Sequence, residues 1–191
     1  EVAIEPQRAA QGAGVEADFD TWLEDIDWAL DELQDTSLCD RVSILGLRWG
    51  ATLAALACRE RDDVEHLVLW DPIVFGTGFL ERAVGEVQPT TTVGVEGFPF
   101  TPELCASMAA VDLATGFPDV ADADVTVLVA DDREDYRSLW SAVEAGGSGR
   151  EYRCVPSPAD WSRADPFGDA LIPQEIIQVA VDLLRASEVT K

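Results

Sequence analysis

The chain has 191 residues, of which 47% are hydrophobic, and this size and composition suit one globular domain with a buried core. It carries 37 acidic and 13 basic residues, which gives a formal net charge of −24. A field of this sign repels nucleic acid and anionic membranes, and no apolar run approaches the roughly 20 residues that span a bilayer. The composition therefore argues against nucleic-acid binding and against membrane insertion.

The basic residues are almost all arginine, with twelve Arg and a single Lys, Lys191. An excess of acids with almost no lysine is typical of proteins from halophiles that accumulate salt, because high ionic strength shortens the Debye length and screens self-repulsion. We therefore predict a halophilic source. An acidic protein from an organism with a GC-rich genome, which also favours Arg over Lys, is the alternative.

The four cysteines, Cys39, Cys58, Cys105 and Cys154, are scattered and form no C-x-x-C pair, and His66 is the only histidine of the sequence. This pattern predicts neither a metal site nor a disulfide framework. Thiols of this kind are typical of a reduced, cytoplasmic protein. Nothing in the sequence indicates a cofactor.

Hydrophobic spacing predicts the first clear helix over 19–33, with an acidic outer face and with Asp18 or Asp20 as its N-cap. Three elements follow: an apolar strand over 41–45, an Ala- and Leu-rich helix over 50–58 and a second strand over 67–70. A strand–helix–strand unit of this length predicts a crossover connection and therefore parallel strands.

The span 74–120 is less regular and rich in Gly, Pro and Thr, and we predict that it forms an insert or lid. Within it, a helix over 101–113 is expected to begin at Thr101 as its cap. The remaining predicted elements are a strand over 125–130, a helix over 134–146, a strand over 151–156 and a helix over 176–186. The fold class is thus α/β, an open, doubly wound and mostly parallel sheet in a single domain over 1–191. Ligands of such sheets bind at the carboxyl ends of the strands.

The stretch "SILGLRWGATLAAL" joins the first apolar strand to its helix through Gly46-x-Arg48-x-Gly50. A strand that enters G-x-S-x-G and then a helix is the nucleophile elbow of hydrolases, in which the turn exposes a serine above the sheet. Here Arg48 occupies the position of that serine.

With "LGLRWGATLAALA", "LVLWDPIVFGTGFL" and the late "VPSPADW" in order, the chain resembles the α/β-hydrolases. More narrowly, it resembles the hydrolase-like proteins associated with exosortase systems, which carry G-L-R-x-G-A-x-x-A and an L-W-D-P strand end. That resemblance implies a setting in envelope or exopolysaccharide biology. It also implies that "VAIE" ends the fourth strand of the full fold and that earlier strands lie outside this chain, so that the chain is a fragment or another chain covers the open edge of the elbow strand.

Acyl transfer needs a nucleophile, a base and a group that orients the base. The guanidinium of Arg48 stays protonated and cannot attack a carbonyl. The base of the resembling family follows the last strand, where this sequence has Ala159, Asp160 and Trp161 but no histidine, and His66 is expected at the opposite end of the sheet. Two of the three catalytic parts are therefore missing, and we predict that the chain is not a Ser-His-Asp hydrolase.

The acid of the triad has a candidate, because Asp131 or Asp132 follows the strand "VTVLVA". An acid without a base or nucleophile does not catalyse hydrolysis. An active hydrolase would need an atypical nucleophile, of which Cys105 in the insert is one candidate, or residues from a segment outside this chain.

Arg48 stands at a helix N-terminus, where the backbone amides disfavour a cation, so it is expected to have a negative partner. One hypothesis is an internal ion pair with Asp71 or Asp131. The other is an anion site, with Arg48, Trp49, Asp71 and Trp161 as the candidate ligand-binding residues. The functional prediction is a non-catalytic hydrolase homologue that binds an anionic small molecule or a protein partner.

Overall fold

The computed structural model describes residues 18–95, 97–120, 123–157 and 173–188. The N-terminal "VAIE" and the residues 158–161 at the expected base position lie outside the described residues. In chain order, the elements are α1 (Phe19–Ser37), β1 (Val42–Leu47), α2 (Trp49–Ala57), β2 (Val64–Trp70), α3 (Gly76–Ala83), β3 (Val93–Val95), β4 (Phe98–Phe100), α4 (Pro102–Ala109), α5 (Leu113–Gly116), β5 (Asp124–Val129), α6 (Glu134–Glu144), β6 (Arg150–Cys154) and α7 (Gln174–Glu188).

The central sheet has four strands in the order β1-β2-β5-β6, and all three pairings are parallel. In register, Leu47 of β1 lies beside Trp70 of β2, and Trp70 lies beside Leu128 of β5. The carboxyl ends of these three strands therefore meet at one edge of the sheet. The parallel sheet that the strand–helix–strand unit predicted is confirmed.

Helices cover both faces of this sheet, as the doubly wound prediction requires. On one face, the side chains of α1, α2, α6 and the insert form the larger hydrophobic core, which includes Leu67 and Leu69 of β2. On the other face, Val68 and Trp70 pack with buried residues of α7 in a second, smaller core. Successive residues of β2 thus alternate between the two cores, because strand side chains point to opposite faces in turn.

The strands β1 and β2 are longer than the sequence predicted, β5 has the predicted length shifted by one residue, and β6 ends at Cys154 rather than at 156. β2 begins at Val64 rather than at 67, since His66 pairs with β1 and β5. The first helix is capped by Asp18, whose carboxylate accepts a hydrogen bond from the amide of Thr21 at 2.6 Å, and not by Asp20. The predicted helix over 101–113 divides into α4 and α5, because Asp112 caps a new turn.

The span 74–120 folds against the body of the domain. It contains α3, the β3–β4 hairpin, α4 and α5, and its buried side chains Leu80, Leu104, Met108 and Leu113 belong to the larger core. Gly76 shows how tight this packing is, since a Cβ there would lie 1.6 Å from the carbonyl oxygen of Met108. Within the described ranges, no helix combines the length and the apolar character that crossing a membrane requires.

Candidate anion-binding site

The turn between β1 and α2 has a backbone conformation that few side chains tolerate. Arg48 has φ 55° and ψ −118°, a region that non-glycine residues rarely adopt. Gly46 allows the turn to close, because a Cβ there would lie 2.4 Å from the Cα of Ala51. The amide of Arg48 donates to the carbonyl of Trp70 at 2.9 Å, which anchors the turn to the neighbouring strand end. The chain therefore builds an elbow here and exposes Arg48 on it.

Beside the elbow lies a small open cleft of about 80 Å³, which we name the arginine cleft. Its lining residues come from the elbow, from the segment after β2 with α3, and from the start of α6: Arg48, Pro72, Ile73, Val74, Phe75, Gly78, Arg82, Arg133 and Asp135. Pockets for whole drug-sized ligands measure roughly 300–1,000 Å³. The arginine cleft therefore suits a compact charged group whose remainder extends outside it.

Three arginines line this cleft, although the whole sequence has only twelve arginines and a net charge of −24. Arg48 and Arg82 are exposed. No carboxylate of the described residues lies within ion-pair distance of either one. The direct ion pair of Arg48 with Asp71 or Asp131 that we considered from the sequence is therefore not formed.

Arg133 is held by its own segment. Its Nε lies 3.3 Å from Asp131 and 3.6 Å from Asp135, and its guanidinium carbon lies 4.2 Å from the centre of the Tyr136 ring. The two carboxylates lie at ion-pair distance but not in hydrogen-bonding geometry, since the buried Nε has no hydrogen-bond partner among the described residues. Arg133 is therefore the arginine of the cleft that already has negative neighbours, in contrast to Arg48 and Arg82.

Asp71 lies behind the cleft rather than in its lining. Its side chain is only 4% exposed, and it accepts a hydrogen bond from the amide of Ala130 at 2.9 Å. Burial raises the pKa of Asp71, against the opposing effects of the Ala130 amide, Tyr136, Arg48 and Arg133. Asp71 thus links the ends of β2 and β5 and interacts with Arg48 through space.

The segment that follows Asp71 is fixed by a side chain of α2. The buried hydroxyl of Thr52 donates to the carbonyl of Ile73 at 2.9 Å and accepts from the amide of Ile73 at 3.1 Å. The same segment pairs with the start of α5, since the amide of Leu113 donates to Val74 at 2.9 Å. One wall of the arginine cleft is therefore rigidly tied to the elbow helix.

Trp49, another predicted ligand residue, places its ring away from the cleft. The ring of Trp49 packs edge-on against Phe19 at 5.8 Å and against Phe79 at 5.3 Å, in an aromatic cluster outside the cleft lining. Trp161 lies outside the described residues. The Asp131 side chain contacts Arg133.

The second candidate for the triad acid, Asp132, has structural partners. Its carboxylate accepts from Arg137 at 2.7 Å and from the Tyr152 hydroxyl at 3.0 Å. The hydrogen bonds from Arg137 and Tyr152 lower the pKa of Asp132. These contacts join α6 to β6, so Asp132 has a ready structural explanation.

The alternative nucleophiles are inaccessible. Cys105 in α4 is fully buried, and burial raises the pKa of its thiol. Cys58 is also fully buried, and burial raises its pKa to about 12. Reactive cysteines need the thiolate and solvent access, so both residues read as core packing. His66 lies near the start of β2 and contacts Thr126, at the opposite end of the strand from the elbow.

Sequence reasoning found Arg48 but missed Arg82 and Arg133. Neither belongs to a motif, and each is brought to the elbow by the tertiary fold. A weak signal existed for Arg133, because it follows the end of a predicted parallel strand, where ligand-binding residues of such sheets occur. Among the described residues, no group of three or more His, Cys, Asp or Glu is arranged to hold a metal ion.

Comparison with known proteins supports the fold and no finer assignment. No protein-family model matches the chain, and a search of curated proteins found no match either. Among solved structures, a "putative hydrolase" from Agrobacterium vitis is similar with a TM-score of 0.62 and 22% identity, over 92% of this chain and 70% of that chain.

A structure from a study of carboxylesterases of the thaumarchaeon Nitrososphaera gargenis is similar with a TM-score of 0.50 and 11% identity, over 88% of this chain and 74% of that chain. At these identities the similarity concerns the fold alone. Together with the parallel sheet and its flanking helices, it shows that this chain has an α/β-hydrolase-like fold.

Proposed function

We propose that this chain is a non-catalytic protein of α/β-hydrolase-like fold that binds an anionic small molecule in the arginine cleft. The observation that carries the proposal is the side chain on the elbow. The strained turn exposes a guanidinium where a hydrolase would expose a nucleophile, and the turn lies beside a cleft that two further guanidinium groups line.

Strain of this kind supports a function for the turn. A side chain held in a sparsely populated backbone region costs of order 1–3 kcal/mol and persists where the surrounding structure enforces it, often at binding sites. Arg48 forms no ion pair with the described carboxylates that would offset this cost. A ligand anion that bridges Arg48, Arg82 and Arg133 would supply the missing negative partner, since guanidinium groups bind carboxylates and phosphates in bidentate geometry.

A protein partner is the other ligand class that the sequence predicts. The size of the cleft favours a small molecule, or at most one charged group of a larger partner, because about 80 Å³ admits only a few heavy atoms.

An active hydrolase is the second candidate, and one observation favours it: the elbow retains its strained geometry. The similar solved structures are also described as hydrolases or carboxylesterases. Against it stand the chemistry of Arg48, the burial of Cys58 and Cys105, and a single histidine that lies away from the elbow. An active hydrolase would require one of the exposed cysteines, Cys39 or Cys154, or a nucleophile from outside the described residues.

Two measurements test the proposal together. A fluorophosphonate probe and an iodoacetamide probe, applied to the folded protein in concentrated KCl, should label no residue at the elbow. Calorimetric titration with a panel of small anions should detect binding that Arg48→Gln weakens. Probe labelling that maps to a single residue, together with ester turnover that is lost when this residue is replaced, would instead establish the hydrolase.

The biological setting is part of the proposal. The G-L-R-x-G elbow and the L-W-D-P strand end support a link to exosortase-associated proteins and hence to envelope or exopolysaccharide systems. The acid-rich, Lys-poor composition supports a halophilic source, and the scattered cysteines support a cytoplasmic location. Growth and envelope phenotypes of a deletion strain would test the first of these links.

A further inference from the structure

The charge of the arginine cleft narrows the class of anion, provided that the proposed anion-binding function holds. Of the three arginines in its lining, Arg133 has Asp131 and Asp135 at ion-pair distance. Arg48 and Arg82, in contrast, have no carboxylate of the described residues within that distance. Two positive charges of the lining are therefore in excess of such pairs. Asp71 behind the cleft interacts with Arg48 and Arg133 through space but forms no ion pair with either. A singly charged ligand would leave part of the excess unpaired.

The three arginines come from three separate elements, so they approach a ligand from different directions. Arg48 stands on the elbow, Arg82 in the last turn of α3 and Arg133 at the start of α6. A planar carboxylate offers two oxygens in one plane, whereas a tetrahedral oxyanion offers oxygens toward several directions at once. The arrangement therefore fits a tetrahedral group better than a carboxylate.

The helix ends at the cleft are consistent with this reading. The N-cap residues of α2, α3 and α6 are Arg48, Phe75 and Arg133, all three line the cleft, and none makes a side-chain capping hydrogen bond. Elsewhere in the described chain, α1, α4 and α5 have side-chain caps: Asp18, Thr101 and Asp112. Acidic residues in the first turn of α6 occupy its positive end, and the first amide of α3, that of Gly76, donates to the carbonyl of Val111 at 3.0 Å. The N-terminus of α2 is therefore the one that adds positive potential.

We propose that the arginine cleft binds a doubly charged tetrahedral oxyanion, and that its ligand is a phosphate monoester. Among organic tetrahedral groups, a phosphate monoester carries about two negative charges near neutral pH, whereas a sulfate ester carries one. The open mouth of the cleft leaves the organic part of the ester outside, in contact with the exposed surface around Arg48 and Arg82.

Calorimetric titration at constant ionic strength separates charge from shape. The probes are methyl phosphate and inorganic sulfate, which are dianions at about pH 7.5, and methyl sulfate and acetate, which are monoanions. We expect the two dianions to bind roughly ten-fold or more tightly than the two monoanions, a difference of about 1.4 kcal/mol or more. On lowering the pH to about 5.5, methyl phosphate should lose affinity as its dianion takes up one proton and becomes a monoanion, while inorganic sulfate, which stays doubly charged, should not.

The inorganic sulfate arm controls for titration of the protein itself. Arg82→Gln should weaken methyl phosphate binding roughly ten-fold, and Arg48→Gln should do the same, while both variants keep the circular dichroism of the parent. The matched control is Arg185→Gln on α7, which removes the same charge from an exposed position outside the cleft and should leave the affinity unchanged.

The outcomes distinguish this inference from the proposed function. If acetate and methyl sulfate bind as tightly as the dianions, the anion site stands and the phosphate assignment is wrong. If inorganic sulfate loses affinity in parallel with methyl phosphate at low pH, protonation of the ligand does not cause the loss, and the site does not select its ligand by charge. If no anion binds, or if Arg185→Gln weakens binding as much as Arg82→Gln, both proposals are wrong.

Discussion

At the scale of single residues, two side chains with positive φ stand at adjacent strand ends. Arg48 follows β1 with φ 55°, and Asp71 follows β2 with φ 44°. Arginine adopts such angles only at a cost, whereas Gly, Asn and Asp adopt them more readily, so Arg48 is the more strained of the two. The two backbones are connected, because the amide of Arg48 donates to the residue before Asp71. The edge of the sheet at which the arginine cleft lies is thus the place where the described chain concentrates backbone strain.

This strain can be measured by comparing Arg48→Gly with Arg48→Ala. Both variants remove the exposed side chain, but only glycine relieves the positive φ, so the Gly variant should exceed the Ala variant in free energy of unfolding by about 1 kcal/mol. Arg48→Ala should stay within about 0.5 kcal/mol of the parent, because no ion pair with the described residues is lost. Urea unfolding in concentrated KCl gives both numbers, and equal stability of the two variants would show that the turn is not strained.

Protonation of the buried side chain of His66 should make the stability of the fold depend on pH. It is 8% exposed, and its Nε2 lies 2.9 Å from the hydroxyl of Thr126. Burial lowers its pKa below the ordinary value near 6.5, against weaker opposing effects of Asp124, the Leu183 backbone, Glu151 and Glu65. The unfolded chain therefore binds the proton first as the pH falls.

The sign of the effect follows from this order of protonation. The contribution of neutral His66 is complete above about pH 6.5 and declines as the pH falls below that value toward the folded-state pKa. The melting temperature should therefore drop between about pH 7.5 and pH 5.5, and His66→Gln should reduce the drop. Since the chain has one histidine, an undiminished drop in that variant would assign the effect to carboxylates instead.

At the scale of secondary-structure elements, one arginine joins α1 to the start of β2. The side chain of Arg61 is 10% exposed, and it donates to Asp63 at 2.9 Å, to Asp31 at 2.9 Å and to Gln34 at 3.1 Å. It also pairs with Asp27. The hydrogen bond from Arg61 lowers the pKa of Asp63. This network uses the fork of the guanidinium, which a lysine ammonium does not reproduce.

Arg61→Lys keeps the charge but loses the fork, so α1 should dock less firmly. We expect a loss of roughly 2 kcal/mol in the free energy of unfolding, measured by urea denaturation. The matched control is Arg59→Lys, two residues earlier at an exposed position, which should change stability by no more than about 0.5 kcal/mol. Equal effects of the two substitutions would show that the network around Arg61 contributes nothing specific.

The elements differ in how far their sequences predict them. β1, β2, β5 and α7 follow from apolar runs or helical spacing, because each buries most of one face or both. The helix α3 was not predicted. It has eight residues, begins with Gly76 and buries Leu80 as its one large side chain, and it is held by contact with α4 rather than by its own pattern.

The site follows the same logic. The elbow is predictable because Gly46 and Arg48 are two residues apart and the turn is local. Arg82 and Arg133 depend on how α3 and α6 pack against the sheet, and their sequence neighbourhoods carry no signal of that packing. The sequence places Trp49 next to Arg48 at the start of the helix, but the position of its ring between Phe19 and Phe79 depends on tertiary packing that the sequence does not reveal.

At the scale of the whole molecule, the charge near the arginine cleft has the opposite sign to the net charge of the chain. The sequence carries −24, yet the lining of the arginine cleft is positive. The acidic residues concentrate on outer faces such as that of α1, where Glu24, Glu32 and Asp35 are exposed. A phosphate ester would thus approach a molecule that repels it at long range and binds it at short range. Added salt screens the first interaction more than the second, because exposed charges are separated by more solvent.

The same excess of acid sets the response of stability to salt. Self-repulsion destabilises the compact state, and the Debye length falls from about 8 Å at physiological ionic strength to about 3 Å at 1 M. The melting temperature should therefore rise with KCl and level off near about 1 M, where screening is almost complete. A rise without a plateau would indicate a general effect of salt on burial instead.

Changing Glu24, Glu32 and Asp35 to Gln, Gln and Asn should raise the melting temperature at low salt and flatten its dependence on KCl. A triple variant as sensitive to salt as the parent would show that self-repulsion does not limit the stability of this fold.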